Sequence, residues 1–346
     1  VKGLAGAVYE ITADEDVITP DGTLRYHKGD VVDTVTTDED GTAKSKELYL
    51  GKYTVVETKA PTGMVINKEK HSVELTYAGQ DVAVTETATS FVNERQKVKI
   101  SLEKILEQDE TFGIGKNDEI KNISFGLYAK EDVVSSSGTV IPADGLIEII
   151  TLDENGAATA NTDLPFGSYY VKEIATDEHY ILSDTQYPFT FEYAGQNTET
   201  VEIKVNDGKP IENKLIYGSV SGKKIDENGE ALEGAVIGIF KAEETEFTKE
   251  HAIMTATSEK DGSFSFAKVP YGQWIVREIE APEGFVLDDT SYEVNIGENE
   301  QVIEVKITDE YIHGNIELTK VDADYPDNKL TGATFEVYKD VNGDGK

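Results

Sequence analysis

Three times in this chain a glutamate falls where a β-strand would point it into its own core, and this constrains the fold more than any other feature. The segments are Gly51-Lys52-Tyr53-Thr54-Val55-Val56-Glu57, Gly167-Ser168-Tyr169-Tyr170-Val171-Lys172-Glu173 and Gly272-Gln273-Trp274-Ile275-Val276-Arg277-Glu278. Successive strand residues face opposite ways. Glu57 therefore sides with Val55 and Tyr53, Glu173 with Val171 and Tyr169, and Glu278 with Val276 and Trp274. A charge buried alone is costly and is almost never tolerated without a partner, so each glutamate calls for one.

Repetition extends beyond these segments. An apolar-x-Gly-Ala step opens a second strand at Leu4-Ala5-Gly6-Ala7, Leu232-Glu233-Gly234-Ala235 and Leu330-Thr331-Gly332-Ala333, with a degenerate copy at Asn122–Tyr128. Acidic turns ending in glycine, at Asp38–Gly41, Asp153–Gly156 and Glu259–Gly262, separate the strands. No window sustains helical periodicity with end signals. Short strands between regular turns predict β-sandwiches, and 346 residues suit several modules better than one. The expected boundaries are 1–95 for a first repeat lacking its opening strand, 96–215 for a complete repeat with loop insertions near 107–121 and 133–145, 216–312 for a complete repeat, and 313–346 for the start of a fourth.

The same parity test finds two further inward polar positions. On the opening strands Lys104 sides with Leu102 and Ile100, Lys224 with Gly222 and Val220, and Lys320 with Leu318 and Ile316. At the closing strands Asn93 sides with Phe91, Asn213 with Ile211, and Asp309 with Ile307 and Val305. One eleven-residue step leads from each of Asn93, Asn213 and Asp309 to the inward lysine of the next opening strand, Lys104, Lys224 and Lys320. The three inward positions must therefore meet. Burial lowers a lysine pKa and raises a glutamate's, which makes the neutral amine and the protonated acid accessible near neutral pH. Such an amine attacks a carboxamide carbon while the acid shuttles protons to the leaving ammonia. The product is an amide between side chains; with Asp309 in place of asparagine, water leaves instead. A hydrogen-bonded ion pair is the other state these residues admit, above all around Asp309. The covalent state is favoured by the repetition and by the absence of cysteine, which leaves no disulfide to staple a secreted domain.

The Leu-x-Gly-Ala strand, the Gly-x-Tyr-x-Val-x-Glu-Thr-x-Ala-Pro-x-Gly block of residues 51–63 and the closing Asn93 resemble the B-type repeats of Gram-positive collagen adhesins and the related domains of major pilins. The resemblance implies an all-β chain of tandem transthyretin-like (prealbumin-like, Ig-like) antiparallel sandwiches. It implies intramolecular isopeptide bonds from Lys104 to Asn213 and from Lys224 to Asp309, promoted by Glu173 and Glu278. Glu57 and Asn93 would be left without a lysine, and Lys320 without its partners. The second repeat departs from the pattern in reading Ile174-Ala175-Thr176-Asp177 after its glutamate, and the third in having Gly222 where a larger core residue is expected.

The function so implied is a structural stalk of a secreted, cell-wall or cell-surface adhesin or pilus-like protein. The alternative is an adhesin module that contacts host protein or glycan through its loops. Net charge of −35 argues against nucleic acid and anionic membranes. No apolar run is long enough to span a bilayer. The beginning Val1–Glu10 lacks a signal-peptide layout, so the sequence reads as an internal segment. The five histidines (His27, His71, His179, His251, His313) have no metal spacing, and P-loop, nucleophile-elbow and HExxH motifs are absent. No enzyme, cofactor or metal is expected beyond single-turnover self-crosslinking, and the chain is expected to be monomeric, with host extracellular matrix or glycan reached through the parent protein. The acidic run Asp340–Gly345 reads either as a hairpin turn or as the start of a calcium loop. Trp274 reads as a core lid over the third trio.

Overall fold

In the computed structural model, which describes residues 3–135, 137–339, 341 and 343, the strand-turn pattern produces two-layered β-modules. Helical structure is limited to the 3-10 turns Glu119–Asn122 and Val205–Gly208 among the described residues. The chain divides into two compact units, Val1–Tyr217 with Gly297–Glu300, and Gly218–Ile296 with Gln301–Lys346.

Within the first unit, the repeat at 96–215 has two sheets. One runs in the order Leu146–Thr151, Ser124–Ala129, Gly167–Ala175, Gln186–Phe191, all antiparallel. The other centres on Lys97–Leu106, flanked by Ala157–Ala160 on one side and by Thr200–Lys204 and Ile211–Asn213 on the other. Alternating apolar residues from both layers interlock in one core that includes Ile100, Leu102, Phe125, Leu127, Tyr169, Val171, Phe191 and Ile211. In one respect the sheets are not antiparallel: the closing segments run parallel to the opening strand. The insertion at 133–145 is a short hairpin, Val133–Val134 with Val140–Ile141. The insertion at 107–121 folds back on itself, burying Phe112 and Ile114, with Glu119 accepting from the amides of Gly115 and Asn117.

Among the described residues, the repeat at 1–95 has the layer that carries Glu57 and a short hairpin, Val17–Ile18 with Leu24–Tyr26. The order of the layer is Val31–Thr36, Val8–Ala13, Gly51–Lys59, Lys70–Leu75, with Ile11, Val32, Tyr53 and Val55 in the core. Residues 37–50 and 76–94 form no strand. The reason is topological: in the complete repeats these flanking segments pair with a central opening strand, and none lies between them among the described residues.

The second unit contains most of the repeat at 216–312. Its layers are Met254–Thr257, Val236–Lys241, Gly272–Glu280, Tyr292–Ile296 and Ser263–Pro270, Tyr217–Asp226, Val302–Asp309. Gly222 sits in the middle of the opening strand because the Phe264 ring occupies its side-chain space; a Cβ there would lie 2.0 Å from Phe264 Cζ. The expected inward strand at Ile316, Leu318 and Lys320 does not form. All three are exposed, and 313–320 is irregular, since a lone strand without a sheet to join has nothing to pair with. Asp340, Asn342, Asp344 and Gly345 of the candidate calcium loop lie outside the described residues.

Candidate functional site

Opening and closing strands lie side by side in the same layer, in the same register in both complete repeats. Asn213 is level with Leu106, two residues beyond Lys104, and Asp309 is level with Asp226, two residues beyond Lys224. A two-residue offset keeps both side chains on one face as diagonal neighbours. The glutamate comes from the middle of the facing layer, Glu173 opposite Phe125 and Glu278 opposite Ile237. Each trio therefore spans the sandwich core. Lys104, Glu173 and Asn213 are at most 2% exposed, as are Lys224, Glu278 and Asp309.

In the second repeat the Asn213 carboxamide nitrogen donates to both oxygens of Glu173 at 2.9 Å and approaches Thr176 Oγ1 at 2.9 Å. Asn213 Oδ1 has no hydrogen-bond partner. Lys104 Nζ lies 3.7 Å from Glu173 Oε1, an ion-pair distance, and donates to the Ile211 carbonyl at 3.2 Å. Burial pushes this amine down from 10.5 to about 8, although Glu173 pulls the other way. In the third repeat Lys224 Nζ contacts Asp309 Oδ1 and lies 2.9 Å from Glu278 Oε1. Neither Glu278 Oε1 nor Asp309 Oδ2 has an aligned hydrogen-bond partner. Burial pushes the Glu278 carboxyl up to about 7, against the pull of Lys224.

Glu57 and Asn93 meet in the first repeat as well, the Asn93 nitrogen donating to the two carboxylate oxygens at 3.0 and 2.8 Å. Tyr9, which pairs with Glu57 as Phe125 and Ile237 pair with Glu173 and Glu278, donates its hydroxyl to Glu57 Oε1 at 3.5 Å, and its pKa is pushed up to about 12, chiefly by burial. Lys320 is exposed and is not brought to any such site. Trp274 is buried on the face of Glu278, but four residues along a strand place it roughly 13 Å away, too far for a lid. It donates instead to the Pro270 carbonyl at 2.9 Å. The hydroxyls of Tyr53 and Tyr169 bond back four residues in the same way, to Tyr49 and Pro165.

Three features escaped the strand-parity reading. The strand register slips at the residue after each glutamate, at Thr58, Ile174 and Ile279, a bulge that bends the strand and re-aims the side chains beside it. Each glutamate also accepts from the backbone amide ten residues further on: Asn67, Ser183 and Asp288, at 2.6, 3.0 and 2.9 Å. The side chain of that residue in turn caps the amide two residues later, at Glu69, Thr185 and Thr290. A small polar residue at a fixed distance from glutamate was the available signal. Lastly, Gly156 and Gly262 adopt φ of +80° and +77°, and each receives the lysine amide on its carbonyl at 2.7 Å. A Cβ on either would lie 2.2 or 2.3 Å from the carbonyl oxygen of Lys104 or Lys224. The acidic turns thus hold the lysine backbone closely.

A family model described as SpaA, prealbumin-like fold domain, matches three segments, residues 1–89, 111–209 and 218–311. The chain belongs to this family. The Bacillus anthracis TIE protein is similar in structure, with a TM-score of 0.60 and 22% identity over 89% of this chain and 48% of that one. BcpA, the major pilin subunit of Bacillus cereus, aligns over 90% of this chain and 96% of its own at 16% identity and a TM-score of 0.37. In sequence, colossin-A of Dictyostelium discoideum is 24% identical over 281 residues, 79% of this chain and 2% of colossin-A. The chain thus spans less than half of the TIE structure and a small fraction of colossin-A. No helix among the described residues is long and apolar enough to cross a membrane, and no group of three or more potential metal ligands occurs among them.

Proposed function

We propose that the chain is a load-bearing stalk segment of a Gram-positive cell-surface adhesin or pilus-like protein, and that its complete repeats are stapled internally by isopeptide bonds, Lys104 to Asn213 and Lys224 to Asp309. The observation that carries this reading is the buried lysine of the opening strand lying diagonal to the closing Asn213 or Asp309, with a glutamate reaching them from the other layer. Desolvation supplies one reactive form in each repeat: in the second, the Lys104 amine near 8 is neutral in roughly a tenth of molecules at pH 7, and in the third, the Glu278 carboxyl near 7 is protonated in a comparable share to its anion.

In the second repeat, neutral Lys104 attacks Asn213 Cγ. The new Nζ–Cγ bond forms, the Cγ–Nδ2 bond breaks, and Glu173 passes the amine proton to Nδ2, which leaves as ammonia. In the third, neutral Lys224 attacks Asp309 Cγ: the Nζ–Cγ bond forms, a Cγ–Oδ bond breaks, and the leaving oxygen takes one proton from the amine and one from Glu278 to depart as water. A bond at this place carries load from the opening strand straight into the closing strand. The residues between, 105–212 and 225–308, are then outside the force path. Turnover of an external substrate is not part of this role, and no cofactor is needed. Adhesion to host matrix or glycan would belong to the parent protein.

Within the first unit, Gln196 ties the second repeat to the first, accepting from the Ala60 amide and donating to the Thr58 carbonyl, while the buried Gln96 holds the turn that carries it, donating to the carbonyls of Gly195 and Thr198 and accepting from the Ala194 amide. Peptide mapping tests the reading: a digest should contain one branched peptide joining Lys104 to Asn213, and it should be missing from Glu173→Ala protein. Separate linear peptides in the folded wild-type chain would refute it.

A further inference from the structure

We propose that the Thr176 hydroxyl positions the Asn213 carboxamide for departure of its nitrogen, which makes Thr176 a positioning residue of the second repeat's crosslink. This inference rests on the isopeptide reading above.

A primary amide has two N–H groups. In Asn213 they are shared among three acceptors, the two Glu173 oxygens and Thr176 Oγ1, all at 2.9 Å. One hydrogen directed at Glu173 leaves the amide free to swing about that contact. A second, directed at Thr176, fixes its plane. The nitrogen end is then held, and the oxygen end, Oδ1, is the one without a partner. Attack on Cγ comes from outside the amide plane, so a pinned plane presents the carbon in one orientation.

Comparison among the repeats isolates the position. Three residues after the glutamate stand Ala60, Thr176 and Ala281. In the first repeat, where Ala60 offers no hydroxyl, the Asn93 nitrogen finds its third acceptor in the Val65 carbonyl at 3.0 Å. In the third, where Ala281 offers none, the closing residue is Asp309, which has no N–H to place, and its Oδ2 is without a hydrogen bond. Both asparagine sites therefore have a third acceptor for the nitrogen, and only the second repeat makes it a hydroxyl. A hydroxyl differs from a carbonyl in that it also donates. As the Cγ–Nδ2 bond breaks and Glu173 delivers the proton, Thr176 can rotate to donate to the lone pair of the departing ammonia.

The test compares the 346-residue chain carrying Thr176→Val, which keeps shape and loses the hydroxyl, with Thr176→Ser, which restores it. Cell-free synthesis is sampled over time, and intact mass and peptide mapping give the fraction that has lost ammonia from the second repeat. Water loss from the third repeat serves as an internal clock. The expected result is crosslinking about tenfold slower in Thr176→Val, the effect of one hydrogen bond on a barrier, with Thr176→Ser near the wild-type rate. Thermal unfolding of both variants in a Lys104→Met background, where no bond can form, should give matching midpoints. Equal crosslinking rates for valine and wild type would overturn the inference, and so would a valine variant that unfolds in that background, since its slowness would come from folding. Ammonia never lost by the wild type would instead overturn the isopeptide reading itself.

Discussion

Asn213 hands its carboxamide nitrogen to both oxygens of Glu173, and Asn93 does the same to Glu57, although only the second repeat brings a lysine to the pair. The glutamate-asparagine contact thus forms with or without a lysine beside it. Under the proposed crosslink, lysine is the component whose presence decides whether a bond can follow.

Removing the proton shuttle should block the bond and leave the fold. Glu173→Gln keeps the volume and hydrogen-bonding capacity of the side chain but cannot relay the proton. A crosslink closing a loop of about a hundred residues is worth roughly 4–5 kcal/mol, so the second repeat should lose on the order of 20 °C in Tm. Differential scanning calorimetry of wild type and variant, with the crosslink state of each verified by mass, gives the comparison. Equal Tm values would mean that the staple adds no stability.

Without the bond, Lys104 becomes a pH-dependent liability. In Asn213→Ala protein its folded pKa is expected to remain below the ordinary 10.5, near the value of about 8 set by burial. Between these values the unfolded chain binds a proton that the folded chain does not, so stability rises with pH from about 8 to 10.5. The cost is fully present below pH 8. Urea titrations of Asn213→Ala across pH 7–11, set against the Lys104→Met, Asn213→Ala double variant, should diverge with this sign. Parallel curves would show that the lysine is not desolvated.

Close backing of the lysine strand predicts that Gly156 is intolerant of any side chain. Gly156→Ala combines a left-handed backbone with a Cβ 2.2 Å from the Lys104 oxygen, a cost of at least about 2 kcal/mol. Chemical denaturation should show it, together with a smaller crosslinked fraction in the second repeat. A neutral substitution would contradict the packing described.

Gly222 should tolerate enlargement only if Phe264 shrinks. Gly222→Val drives carbon into the ring and should destabilise the third repeat by about 1–3 kcal/mol; adding Phe264→Ala should recover part of that loss. Failure of the second change to help would mean the two positions do not share one space.

Much of this was legible because strand parity is strict. Two-residue alternation placed Glu173, Lys104 and Asn213 on one face without any coordinates, and Phe264 explains the Gly222 that seemed out of place. What parity could not reach was set by backbone geometry: the bulge after each glutamate, the amides of Asn67, Ser183 and Asp288, and the hydroxyl of Thr176 three residues on. Parity also assumed a partner sheet. Ile316, Leu318 and Lys320 alternate as an opening strand should, yet they form none, because a strand is a property of its neighbours as much as of its sequence. The first repeat shows the same dependence from the other side, since residues 37–50 and 76–94 form no strand and no opening strand lies between them among the described residues.

The central claim is that the complete repeats are closed by their own side chains. Intact-mass measurement of the folded 346-residue chain tests it most directly. The account predicts a mass below that of the sequence by one ammonia, mapped to the second repeat, and one water, mapped to the third. A well-folded chain at the full sequence mass would contradict it.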